Sequence, residues 1–147
     1  MKRGKGFTLV ELMVVLAIIG IMSVTAMPLY HTYQQRAYGS EAALMLKRIL
    51  DAQVMYFLEH NTFYPDDGST IEIYHNDAPS KPEIIAVEEN LNILIPVRHF
   101  LDYYLSADNT PGSEFFTLTI SADFPLFKDG RPDIIGTLYK DGSIEIL

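Results

Sequence analysis

The chain has 147 residues, no cysteine and a formal net charge of −8. Its length and apolar content suit one modest domain plus an N-terminal segment, held together by packing and without disulfides. Lys2, Arg3 and Lys5 lie within the first six positions. The remainder is therefore more acidic still, and no general nucleic-acid binding is expected of such a body.

Residues 1–6 read as a short basic leader. Phe7 to Met27 is apolar, with Glu11 its only charge. At helical rise this stretch spans roughly 32 Å, about one bilayer core. The basic residues ahead of it place the N-terminus in the cytoplasm. A secretory signal cleaved after Val24-Thr25-Ala26, a plain single-pass anchor, and a segment that enters the membrane and later leaves it all fit the length.

Glu11 separates these readings. An acid early in an apolar helix is costly for a signal core or an idle anchor. It is useful if a partner charge arrives later. Cleavage after Gly6 would give Phe7 a free amine, and in a bundle of identical helices Glu11 of one chain would meet the Phe7 amine of the next. A misplaced subunit would leave a buried charge unpaired, so the pair acts as a register device.

Gly20 weakens the helix, and Pro28 removes a backbone donor and clashes with the preceding turn. The stretch between them is where the helix can bend or melt. Gly20 also allows close helix approach, and Pro28 also suits the membrane exit. Over 28–60 the pattern turns amphipathic. Tyr30, Tyr33, Ala37, Ala42, Met45, Ile49, Ala52 and Tyr56 recur at three- and four-residue steps, with Leu46, Leu50, Val54 and Phe57 alongside. One helix of roughly fifty residues results. A domain this small cannot bury all of it, so half must find lipid or neighbouring subunits.

Residues 61–99 read as a connecting region, with a short helix expected over Pro82 to Asn90 after Ser80. Over 100–147 come four strand signals: Phe100 to Ser106, Phe115 to Ser121, Ile134 to Tyr139 and Ser143 to Leu147. Asp141-Gly142 is a hairpin signal between the last two. The predicted fold is α+β: a long N-terminal helix, membrane-inserted in its first half, packed through its second half on a four-stranded antiparallel sheet.

Chemistry is sparsely supported. There is no cysteine nucleophile and no glycine-rich phosphate loop. His31, His60, His75 and His99 lack metal-ligand spacing. Neither an enzyme nor a cofactor is expected. Asp129 and Asp133 are the calcium candidates, in an oxygen-rich turn. Two acids are few for that ion, and an acidic turn closed by Gly130 and Pro132 is the simpler reading. Asp66 and Asp67 are judged the same way.

Gly6-Phe7-Thr8-Leu9-Val10-Glu11, with the basic leader before it and the apolar run after it, resembles the signature of the type IV pilin and type II secretion pseudopilin superfamily. The resemblance implies cleavage between Gly6 and Phe7 by a prepilin peptidase, and N-methylation of Phe7. It implies a single-pass precursor in the inner membrane, handled by an assembly platform there and extracted into a helical homopolymer. Gly20 and Pro28 match positions where the long helix is weakened in such families. Tyr64-Pro65 resembles the pair that closes it.

Phe7, Tyr30, Tyr33, Tyr38, Phe57 and Phe63 fall where pilins proposed to carry electrons have aromatic residues, although helix packing alone accounts for aromatics there. Many pilins close their C-terminal region with a disulfide. Its absence here puts an adhesive loop in doubt and suggests a last strand zipped into the sheet.

The expected function is that of a structural subunit of an extracellular pilus serving adhesion, twitching motility or DNA uptake. The alternative is a pseudopilin of a periplasmic type II secretion pseudopilus. The intact Glu11 argues against a first-loaded tip subunit. A binding domain, periplasmic or membrane-anchored, is the reading from a different class.

Overall fold

A computed structural model describes residues 6–147. Lys2, Arg3, Lys5 and the rest of the leader before Gly6 lie outside the described residues. The elements are α1 (Leu9–His60), β1 (Thr70–Ile73), α2 (Pro82–Leu91), β2 (Asp102–Asp108), β3 (Phe115–Ser121), β4 (Asp133–Tyr139) and β5 (Ile144–Ile146). The chain divides into two compact units, Met1–Gln34 and Gln35–Leu147.

In the first unit, every described residue as far as Tyr33 is exposed. The large apolar side chains from Leu9 to Leu29 point all round the helix and are exposed. The helical stretch is long and apolar enough to cross a membrane. It runs through Gly20 and Pro28 without a break. Side-chain hydroxyls here bond the helix itself: Ser23 Oγ donates to the Ile19 carbonyl at 2.7 Å and Thr32 Oγ1 to that of Pro28 at 2.9 Å. This is how polar side chains persist in apolar surroundings.

The second unit is an antiparallel sheet in the order β1-β2-β3-β4-β5, with each strand beside its sequence neighbour. The sheet therefore has five strands rather than the expected four. β1 comes from the region read as a connection. Its Thr70-Ile71-Glu72-Ile73 alternates in the β pattern, but four residues are too few to stand out from their turn-rich flanks. It pairs with β2 from Thr70↔Ser106 to Ile73↔Tyr103. β2 begins at Asp102, later than expected, because Phe100 packs edge-on against Tyr38 and Phe124 instead of entering the sheet. α2 starts at Pro82 with Lys81, not Ser80, as its preceding residue, and Asn92 closes it in the left-handed conformation.

β2, β3 and β4 alternate between buried and half-buried residues. Tyr103, Leu105, Phe116, Leu118, Ile120 and Leu138 turn inward. Ala42, Met45, Leu46, Ile49 and Leu50 of α1 share that core, and Ile84, Val87 and Leu91 of α2 join it. Two glycines set how closely the layers approach. A Cβ at Gly136 of β4 would lie 2.9 Å from Leu46 Cδ1, and one at Gly39 of α1 would lie 2.5 Å from the Leu126 carbonyl oxygen.

The end of α1 is fastened by two side-chain amides. Gln53 is fully buried. Its Nε2 donates to the Tyr64 carbonyl at 2.7 Å, and its Oε1 accepts from the Tyr64 N–H at 3.0 Å. Asn109, just past β2, accepts from the Phe63 N–H at 2.8 Å and donates to the Phe63 and Pro65 carbonyls. Together they satisfy the backbone where the chain leaves the helix. The Tyr64-Pro65 bond is cis.

Two stability predictions follow from these contacts. Gly39→Ala gains helix propensity of at most ~1 kcal/mol but forces a backbone carbonyl aside, an overpacking cost of about 1–3 kcal/mol. Urea denaturation of the full chain in detergent should therefore show a net loss, while Ser40→Ala next to it stays neutral. Gln53→Leu strands the Tyr64 amide and carbonyl and should cost about 2–4 kcal/mol in the same assay. An unchanged midpoint would show that the bracket contributes nothing.

Candidate functional site

The first turn of α1 carries the residues to which the sequence assigned function. Thr8 precedes the first helical residue, and Glu11 lies three positions later. The Glu11 Oε2 atom accepts from the Thr8 N–H at 2.9 Å and from the Thr8 hydroxyl at 2.8 Å, while Thr8 Oγ1 accepts from the Glu11 N–H at 3.2 Å. This is a reciprocal capping box, in which side chain and backbone satisfy each other at the exposed end of a helix. The carboxylate also lies where the helix dipole favours negative charge.

Thr8-Leu9-Val10-Glu11 matches the Ser/Thr-x-x-Glu signal for a helix start. Reading Glu11 only as a future ion-pair partner missed this second role. The acid is held locally within the single chain, and its charge stands at the outermost turn of the apolar stretch. Phe7 beside it is 75 % exposed. Gly20, one further assigned position, has nothing within 4 Å of where a Cβ would stand.

The remaining candidates lie elsewhere. Asp129 is already engaged: its Oδ2 accepts from Arg131 Nε at 2.7 Å and its Oδ1 from the Arg131 N–H. These bonds hold its carboxyl below the usual range, and the Arg131 guanidinium also lies over the Phe127 ring. Asp133 opens β4 opposite Ser121. Among the described residues, no group of three His, Asp or Glu is placed to hold a metal. Asp66 accepts from the Tyr56 and Thr62 hydroxyls.

The histidines have structural partners. His60 stacks on Tyr56, His75 meets Asp102 at 2.8 Å and His99 meets Glu41 at 2.7 Å. Of the aromatic positions, Tyr38 packs on Phe100 and Phe124, and Phe57 on Phe63, in the second unit's core. Tyr30 and Tyr33 stand exposed.

Residues 1–27 match the family model described as the prokaryotic N-terminal methylation motif. The chain is 45% identical over 65 residues to the type IV major pilin protein PilE of Neisseria gonorrhoeae, covering 44% of this chain and 39% of that one. Its N-terminal part is thus similar to that of type IV pilins.

A fimbrial protein of Neisseria meningitidis is 48% identical over 65 residues, again covering 44% of this chain and 38% of the relative. These matches span about two fifths of the length of the Neisseria proteins. A longer and more distant match covers 81% of this chain and 84% of the type IV wide pilus major component PilA4 of Thermus thermophilus, at 25% identity. No solved structure matches the chain significantly. The long helix against an antiparallel sheet is the pilin fold, here with five strands.

The capping box gives a direct test. Thr8→Val removes both hydroxyl bonds, a loss of about 1 kcal/mol. Amide exchange at Glu11 of the full chain in micelles should quicken about five-fold, and Thr8→Ser should restore the slow rate. Equal exchange in all three proteins would show that the box does not hold the helix end.

Proposed function

We propose that the chain is a structural subunit that polymerises through α1 into a type IV pilus. Cleavage between Gly6 and Phe7 and methylation of the new Phe7 amine would convert the membrane precursor into the assembling form. The observation that carries this reading is a lone acid, already capped, at the head of a helix whose apolar side chains have no cover within their own chain. Such a surface is stable only in lipid or against other apolar helices.

On this reading Glu11 leaves its bonds with Thr8 in part or whole for the Phe7 amine of a neighbour. The local bonds keep the charge satisfied before the neighbour arrives. Gly20 and Pro28 are proposed as the places where α1 yields on packing. The relatives named as major pilins support an extracellular pilus over a secretion pseudopilus. Adhesion, motility or DNA uptake would then be properties of the fibre.

The intact mass of the mature protein from its native host tests processing. A chain beginning at Phe7 with one added methyl group is expected. A chain beginning at Met27 would mean an ordinary signal peptide and no filament. Glu11→Ala should leave cleavage intact while reducing surface filaments at least about ten-fold, because the incoming amine then has no partner in a low-dielectric core. Normal filaments from Glu11→Ala would sink the charge-pair account.

A further inference from the structure

The sheet treats its two edges differently. At β1, Lys81 Nζ donates to the Glu72 carbonyl at 3.0 Å while pairing with Asp77 at 2.8 Å. A lysine laid on edge carbonyls blunts a strand against further pairing. At β5 nothing comparable is present among the described residues. Ser143 and Leu147 bond β4 through Tyr139 and Ile135, so the alternate residues Ile144 and Ile146 turn their backbone groups outward.

The side chains of Ile144 and Ile146 are also uncovered. They lie opposite Leu138 and Gly136 in register, and therefore on the sheet face that α1 packs against. Yet they are 48% and 58% exposed, while Leu46 and Leu50 of α1 lie over Gly136 on the neighbouring strand. Val54 and Leu58 of α1 line a cleft of about 230 Å³ with Leu138 and Gly142. Lys47 continues that helix stripe at the i, i+7, i+11 spacing shared with Val54 and Leu58. It is exposed and forms no ion pair or side-chain hydrogen bond among the described residues. By register and helix spacing, Ile144 and Ile146 continue the apolar lining of that cleft along the sheet edge, and Lys47 continues it along the helix as a cation.

The complementary surface lies at the other edge. α2 contacts β1 and buries Ile84, Val87 and Leu91. Its outward face carries Ile85, 40% exposed, and one turn later Glu89, exposed and without an ion-pair partner among the described residues. Within one chain the two surfaces are separated by the width of the sheet.

We infer that α2 of one copy docks on the exposed apolar surface between α1 and the β5 edge of the next, with Ile85 among Val54, Leu58, Ile144 and Ile146 and Glu89 on Lys47. The inference rests on the polymerisation reading above and adds where the second unit's contacts fall. Unlike surfaces on opposite edges make a heterologous contact, which propagates into an open array instead of closing as a dimer. Opposite charges at the rim set the register, and an acidic chain that meets itself must bring its free cations to its own acids.

The test uses the full chain expressed in its native host. The chain lacks cysteine, so Ile85→Cys combined with Ile146→Cys can be cross-linked with a short bis-maleimide without interference. A ladder of multimers from sheared filaments is expected, with neither single variant giving more than dimers. In parallel, Lys47→Glu should lower filament yield about ten-fold as attraction becomes repulsion, and adding Glu89→Lys should restore it. Filaments that form normally but give no ladder, with Lys47→Glu harmless, would overturn this contact and leave polymerisation standing. No filaments even from the unaltered chain would overturn the polymerisation reading, and this contact with it.

Discussion

A single helix must satisfy two surroundings, and the other features of this protein depend on that requirement. Burying one large aliphatic side chain is worth about 1.5–3 kcal/mol. The run of such side chains from Leu9 to Leu29 therefore represents tens of kcal/mol that the chain's own sheet does not collect. Domains are stable by only about 5–15 kcal/mol. No amount of local helix propensity lets that surface rest in water, so its cover must come from outside the chain.

The second half of the same helix meets the opposite demand. From Gly39 onward the buried positions fall on one stripe, and residues such as Lys47, Arg48 and Asp51 keep the other side wet. The sheet comes close because two of the contacting positions are glycines. Gly136 leaves room for Leu46 and Leu50, and Gly39 for the backbone at Leu126. Both are packing glycines, chosen for volume and not for an unusual backbone angle.

Much of this was legible in the sequence. The apolar run, the lone Glu11 and the change to amphipathic spacing after Leu29 gave the long helix, because periodicity over many turns averages out local noise. β3 and β4 were visible through the alternation of Phe115–Ser121 and Ile134–Tyr139. β1 was not, since its four residues gain their conformation from pairing with β2 and not from their own pattern. The bracket of Gln53 and Asn109 was equally hidden, because a polar residue on a helix stripe reads as solvent-facing until its distant partner is known. At the helix start the signal was present but its meaning was double. Thr8 and Glu11 carry the capping pattern, and the attention drawn by an acid in an apolar run obscured it.

The bracket at the end of α1 has a consequence of its own. Gln53 and Asn109 hold the segment Phe63 to Pro65 by hydrogen bonds to backbone, a task that small extracellular domains commonly give to cystine. Amide ties neither await an oxidant nor yield to a thiol. The second unit can thus reach the same shape wherever it first folds. It needs no disulfide-forming catalyst, and a swing in redox potential around the finished protein leaves this junction unchanged.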